Sequence, residues 1–417
     1  MALPEKRLSE FIGHCRTLLN VKETSRKKLA QLLGKLTWAE AAVPFARAHY
    51  RHLQRAYIES GDSGNSSLSK IIVIPDSAHR DLKWWHDNLA RVNGRAIWLS
   101  EPDVEIFSDA SLSGWGAACN ELKARGPWTL EEKILHINEL ELIAALNALK
   151  SFTSNLSSIT LRIYMDNVTA VAYVNHLGGT RSSNLCKIAL EISELCETRN
   201  LMIEAIYLPG SLNVVADAES RALPQAEDWR LSPIIFKLIT DRWPVNIDMF
   251  AAAWNAQLPR FYSRNPQPGA EAVDAFSTNW RTKRCYLFPP FNLIQPCLAK
   301  IQRDQATTIL VCPYWNSRPW FPVLLEMAVD IPLVILPRKD LLQASDETTH
   351  PLCQDGSFLL SVWKLSGMAI EAREFRRKCE NFSWPETVPA HPQRTSWPGT
   401  VGVAGVLKDI WIPWKAI

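Results

Sequence analysis

Paired cysteines are missing from this chain. Its nine cysteines occur singly among 417 residues, with no Cys-x-x-Cys, which argues against a zinc ribbon and against a secreted disulfide framework. It has no apolar run long enough to span a bilayer, no leader-like N-terminal pattern and no internal repeat, so a protein inside the cell without a membrane partner is expected. A strong net charge is missing too: +3 is too small to announce nucleic acid by itself. The charge is unevenly spread, however. Residues 1 to 55 hold eleven Lys or Arg against four Glu, and the remainder is slightly acidic. Hydrophobic residues make up 47% and charged residues 21%, which excludes a disordered chain, and the length suffices for two or three domains with proper cores.

What is present is concentrated between Val104 and Arg221. Four carboxylates punctuate that stretch: Asp109, Glu141, Asp166 and Asp217. Three of them adjoin strand-like or tightly packed apolar residues, where an unpaired charge is costly. Carboxylates that converge repel one another and shift their pKa values upward unless a cation neutralises them. A hard divalent ion, Mg²⁺ or Mn²⁺, takes a few carboxylate oxygens plus water and substrate phosphate. Two such ions about 4 Å apart suit in-line displacement at phosphorus, which points to a nuclease.

The patterning predicts that the acids meet. Val104 and Ile106 begin a short alternating strand, Ser111 to Gly114 make a turn into Trp115–Cys119, and Asp109 closes the first arm of that hairpin. A helix is predicted from about Leu135 to Phe152, with Glu141 on the same face as Ala144, Ala145 and Ala148. Small residues there let the helix lie close to a sheet. Ile159, Leu161, Ile163 and Met165 alternate with polar residues in a strand ending at Asp166. Asn167 opens a short helix closed by Gly178-Gly179, a second amphipathic helix follows, and a strand from Leu201 to Leu208 leads to Asp217.

These residues resemble a family. The order Ser-Asp-Ala-Ser, Ile-Asn-Glu-Leu-Glu-Leu, Met-Asp-Asn and Leu-Pro-Gly-Ser-Leu-Asn-Val-Val-Ala-Asp-Ala-Glu-Ser-Arg is similar to the ribonuclease H domain of retroelement polyproteins. The Ala-Asp-Ala-Glu-Ser-Arg variant resembles DIRS-type retrotransposons in particular. The resemblance implies an α/β fold: a ribonuclease H-like mixed sheet flanked by helices, preceded by a small helical segment and followed by a second, methyltransferase-like α/β domain. It implies two Mg²⁺ or Mn²⁺ ions on Asp109, Glu141, Asp166 and Asp217, an RNA–DNA hybrid as substrate, and a cytoplasmic or nuclear location. Glu139 rivals Glu141 for the second place, and the alanine face favours Glu141. A histidine that some relatives carry shortly before the last aspartate is absent, which bears on turnover. The alternative is a catalytically silent nucleic-acid-binding fragment of a decayed or domesticated element.

Residues 1–58 read as helices resembling the thumb and connection of a reverse transcriptase. Leu29, Leu32, Leu33 and Leu36 mark an apolar face, and Arg47, Arg51 and Arg55 form a basic stripe. On the resemblance those arginines contact phosphate without sequence preference, and Asn167 also faces nucleic acid. The polymerase palm is absent, so DNA synthesis would need a palm in trans. Residues 59–100 read as linker and connection, with a Ser/Gly/Asn-rich loop at 59–69, a strand at 71–74 and a helix at 77–92. Trp84 and Trp85 in that helix either stack on bases or pack. The ribonuclease H-like domain is assigned to 101–225.

After Pro224 a second α/β unit is expected over 230–365, resembling an adenine-methyltransferase-like domain. Its strands are placed near Ile247–Ala251, Cys285–Phe288, Thr308–Pro313 and Pro332–Leu336, and its helices near 294–304 and 319–329. Phe288 stands before Pro289-Pro290-Phe291, where that family places Asp or Asn, and Asp248 is either a turn residue or a partner for a ligand hydroxyl. Residues 366–417 are expected to be a linker or tail.

Overall fold

The computed structural model describes residues 1–61, 67–96, 101–222, 228–382 and 401–417. The chain forms two compact units, Met1–Glu121 with Leu135–Arg221, and Leu122–Ile134 with Ala222–Ile417. Among the described residues no helix is long and apolar enough to cross a membrane.

The first unit begins with α1 (Glu5–Leu19), β1 (Glu23–Ser25), α2 (Arg26–Ala39), α3 (Arg51–Glu59), β2 (Ile71–Val73) and α4 (Asp76–Val92). The boundary expected near residue 58 is not there. β2 pairs antiparallel with β1, and Ala78, Leu82, Trp85 and Leu89 of α4 share one core with Phe11, Leu29, Leu36 and Leu53. Residues 71–92 carry their own amphipathic stripe, which can be buried only against α1 to α3. Asp81, buried on α4, accepts from the His52 and Leu53 amides at 2.9 and 3.1 Å, capping the start of α3, which has no side-chain cap of its own. Of the loop expected at 59–69, residues 62–66 lie outside the described residues.

The same unit continues with β3 (Val104–Ala110), β4 (Gly114–Cys119), α5 (Ile137–Phe152), β6 (Thr160–Met165), α6 (Val168–Asn175), α7 (Ser183–Arg199), β7 (Met202–Tyr207) and α8 (Val214–Arg221); β5 (Leu122–Pro127) follows β4 in the chain. The strand order β5-β4-β3-β6-β7 makes a five-stranded sheet, antiparallel between β3 and β4 and parallel from β3 through β6 to β7. A mixed sheet of this order flanked by helices is consistent with the ribonuclease H-like arrangement expected from the sequence. Along β6, Leu161, Ile163 and Met165 are buried while Thr160, Arg162 and Tyr164 are partly exposed, as their alternation required. The free edge of β7 is blunted by Asn175 of α6, whose side chain bonds both the carbonyl and the amide of Ala205 at 2.7 and 2.8 Å.

In the second unit a seven-stranded sheet runs Val401–Leu407, Ile410–Ala416, Leu333–Ile335, Leu360–Ser366, Thr307–Pro313, Cys285–Leu287, Ile247–Asp248. The last three strands are parallel neighbours, and helices Ile294–Asp304 and Phe321–Met327 lie close to the expected spans. The expectation for residues 366–417 is corrected. Helix Ala369–Glu380 buries Ala372, Phe375 and Cys379, and strand Ile410–Ala416 runs parallel to Leu333–Ile335. Ile412 and Pro413 of that strand are buried, and its run of apolar residues carries no alternation by which the sequence could have shown a strand. Residues 383–400 of that stretch, and Pro224, lie outside the described residues.

Candidate active site

Three elements bring three acids together. The parallel register pairs Val104 with Leu161 and Phe107 with Tyr164; carried two residues further, it sets Asp109 beside Asp166 at the ends of adjacent strands. Glu141 comes in from α5, whose start is fixed by a reciprocal cap. His136 Nδ1 accepts from the Asn138 amide at 3.1 Å, and Glu139 Oε2 accepts from the His136 amide at 3.0 Å. Glu139, the rival for the second place, is thus engaged as a helix cap. Leu140, Leu142, Ala144, Ala145, Ala148 and Leu149 of α5 are all buried, so the helix sits tightly and Glu141 is carried into the interior.

One carboxylate oxygen each from Asp109, Glu141 and Asp166 lies within 4.8 Å of the others. Asp109 and Glu141 are buried, Asp166 partly so. Burial, the charges of Asp166 and Asp109 and a carboxyl–carboxyl contact with Asp166 push Glu141 up to about 9, against a smaller lowering by the Ala110 amide. Asp109 is raised by burial and by the charges of Asp166 and Asp217, and held down in part by a bond from Ser220. Glu141 Oε2 is buried with no hydrogen-bond partner. A buried carboxylate with an orphaned oxygen, clustered with two other acids, is a poor arrangement for protein alone and a good one for a hard cation. The residues therefore fit a divalent ion, held by Asp109, Glu141 and Asp166.

Asp217 stands apart from that triad. It sits in the first turn of α8 and pairs through Oδ1 with Arg221 Nε at 2.7 Å, although its charge is felt at Asp109. Ser220, on the next turn, donates to Asp109 Oδ2 at 2.6 Å, and Ser111 Oγ donates to the Ser220 carbonyl at 2.6 Å. Asp109 and Gly116 are register partners and share a face of the sheet. Gly116 has to be glycine because a Cβ there would overlap the Ser220 amide nitrogen and the Ala216 carbonyl. Asn213 Nδ2 donates to the Ser108 carbonyl at 3.0 Å and pins the loop before α8 to β3. Ser220, Arg221, Ser111 and Asn213 were missed from the sequence. The available signal was the i, i+3, i+4 spacing of Asp217, Ser220 and Arg221, which places all three on one face of a helix.

The residues assigned to nucleic acid fall in different surroundings. Asn167 lines the acid cleft, caps α6 by accepting from the Ala170 amide at 2.9 Å and donates to Asn138 Oδ1 at 2.8 Å, tying the β6 end to the start of α5. Each arginine of the basic stripe has a partner within the protein, and one of them, Arg51, is turned inward. Arg47 precedes α3 and forks onto Glu40 at 2.9 and 2.8 Å. Arg51 is buried, with its guanidinium on the His176 and Leu177 carbonyls, and Arg55 reaches the Ser182 carbonyl at 3.4 Å. The turn between α6 and α7 leaves carbonyls unpaired, and a buried guanidinium with five donors is well suited to satisfy them. Trp85 is fully buried and donates to the His49 carbonyl at 2.9 Å. Trp84 stacks on His49 with centroids 3.7 Å apart and donates to Glu197 at 3.1 Å. Both tryptophans pack.

In the second unit Phe288, Pro289, Pro290 and Phe291 line a 250 Å³ cavity with Trp229, Asn255 and His350. Asp248 is buried, accepts from the Phe250 and Gln257 amides at 3.3 Å each, and is pushed up to about 7 by burial. Those bonds make it a turn aspartate.

No protein-family model matches the chain, and no curated protein matches it. Among solved structures it is similar to LC11-RNase H1 in complex with RNA/DNA hybrid, at 15% identity and a TM-score of 0.25 over 28% of this chain and 93% of that one. RNase H1 from the halophilic archaeon Halobacterium salinarum is similar at 14% and 0.24, over 28% and 92%. The foamy viral protease-reverse transcriptase in complex with RNA/DNA hybrid is similar at 16% and 0.20, over 54% and 31%.

Proposed function

We propose that this chain is a metal-dependent endonuclease that cuts the RNA strand of an RNA–DNA hybrid, and that it derives from a DIRS-type retroelement. The observation that carries the reading is the buried triad of Asp109, Glu141 and Asp166, with one oxygen of Glu141 left without a protein partner. Mg²⁺ or Mn²⁺ held there would activate water and stabilise the leaving oxygen of an in-line displacement. The chain's own groups do the positioning. Ser220 orients Asp109, the Asn138–Asn167 bond holds the α5 and β6 ends in register, and Gly210, where a Cβ would lie 3.0 Å from Asp166 Oδ2, leaves room beside Asp166. A hybrid would be read through its backbone and 2′-hydroxyls rather than its sequence.

The test is cleavage of a labelled hybrid by purified protein. Mg²⁺ or Mn²⁺ is expected to support cutting of the RNA strand only, EDTA to abolish it, and Ca²⁺ to bind yet inhibit, because its larger radius and looser coordination spoil an in-line geometry. Full activity in EDTA, or equal cutting of duplex DNA, would refute the reading.

The second unit, on the same reading, does not methylate adenine. The methyltransferases it resembles use an Asp or Asn oxygen before Pro-Pro-aromatic to accept from the adenine amine, and here that position is Phe288, which offers no acceptor. The amine would lose a partner at a cost of about 1–3 kcal/mol, and its nitrogen would lose alignment with the donor. Labelled S-adenosylmethionine incubated with DNA and the protein should transfer no methyl group above a Phe291→Ala control; transfer above that control contradicts the prediction.

A further inference from the structure

The cleft beside the triad is lined by Ala110, Ser111, Glu141, Asp166, Asn167 and Arg221 among others, and Arg221 is the one cationic side chain among them. Its guanidinium lies mostly in solvent, with 68% of the side chain exposed, and pairs with Asp217 Oδ1 at 2.7 Å. Asp217 is also the one of the four acids left outside the 4.8 Å cluster. The carboxylate outside the triad is thus the one paired with the cation that lines the cleft.

We propose that Arg221 contacts a substrate phosphate in this cleft, and that it exchanges Asp217 for that phosphate, so that Asp217 is released toward the triad only when nucleic acid is present. The inference rests on the nuclease reading of the cleft. Exposed ion pairs are weak and readily exchanged, and a guanidinium can meet a phosphate through two parallel hydrogen bonds. Asp217 and Arg221 are one helical turn apart on α8, so breaking their pair needs only side-chain rotation and no movement of the helix. The hydrogen bond to Asp217, and then the charges of Asp217, Asp109 and Asp166, favour the charged form of Arg221.

The exchange predicts opposite effects on two quantities. Arg221→Ala should bind Mn²⁺ more tightly than wild type in calorimetry without nucleic acid, by on the order of tenfold, because Asp217 is freed. It should bind hybrid more weakly in EDTA, again by on the order of tenfold, and Arg221→Lys should recover part of the hybrid affinity. The gain in Mn²⁺ affinity should vanish when the Arg221→Ala change is made in an Asp217→Asn background. An equal gain in that background overturns the exchange, since simple removal of a positive charge then explains it. Unchanged hybrid affinity in EDTA overturns the phosphate contact. Failure of the wild type to cut a hybrid would count against the ribonuclease reading alone, because both binding measurements still decide the role of Arg221.

Discussion

Replacing Asp109 or Asp166 by asparagine is expected to lower hybrid cleavage by about three orders of magnitude, equivalent to about 4 kcal/mol of lost transition-state stabilisation, while leaving the fold intact. Both residues end adjacent parallel strands, and one oxygen of each lies in the triad. Asparagine keeps the shape and, at Asp109, keeps an acceptor for the Ser220 hydroxyl, so the link between α8 and β3 survives. What it removes is charge. A site designed to hold a hard divalent ion loses both electrostatic attraction and an anionic ligand. Asp217→Asn should be tolerated better, because the three acids of the triad remain and water can partly replace an acid on α8. Cleavage rates and circular dichroism on the same preparations decide this; an Asp109→Asn protein that cuts at the wild-type rate refutes the assignment of the triad.

The second large effect is on stability, and it has the opposite sign to the first. Burial and the neighbouring acids raise Glu141 from the ordinary 4.5 to about 9. A carboxyl whose pKa is higher in the folded state than in the unfolded one favours folding while protonated. Its contribution is complete below about 4.5 and is lost as pH rises toward 9. Metal-free protein should therefore lose stability between pH 5 and 9, by about 1.4 kcal/mol per pH unit from this residue. Glu141→Gln should remove most of that slope and raise the Tm of the metal-free protein at pH 8 by roughly 10 °C, while abolishing cleavage. Mg²⁺ should raise the wild-type Tm at pH 8 and leave the variant nearly unchanged, because an ion that binds only the folded state stabilises it by mass action. Thermal melts in EDTA and in Mg²⁺ across that pH range measure all three. A variant less stable than wild type at pH 8 in EDTA would mean that Glu141 is stabilised in some other way.

The acids of the triad were legible in the chain because each lies inside a local pattern. A strand that alternates, as from Leu161 to Met165, ends where its alternation ends, and a helix face of Ala144, Ala145 and Ala148 shows which glutamate can approach a sheet. Glu141 could be preferred to Glu139 on that face alone. The reciprocal cap that occupies Glu139 is a property of the folded helix start, and it gives the physical reason. Periodicity carries this much because it records which side of an element must be buried, whatever the element packs against.

Tertiary structure decided everything that depends on the partner across the gap. The stripe of Arg47, Arg51 and Arg55 has the spacing of a solvated basic face, and nothing in that spacing says that carbonyls of the turn between α6 and α7 will lie against Arg51. Asp217 has the same local motif quality as Asp109, yet it stands outside the triad in a salt bridge within its own helix. The strand at 410–416 found its place because the strand at Leu333–Ile335 had an open side, and helix α4 joined the N-terminal core because β2 pairs with β1. In each case the sequence set which groups needed a partner, through charge, donors or apolar faces, and long-range packing chose which partner they received. Hydrogen bonds and ion pairs between residues distant in the chain leave no periodic trace in it, and so these contacts became visible only in the fold.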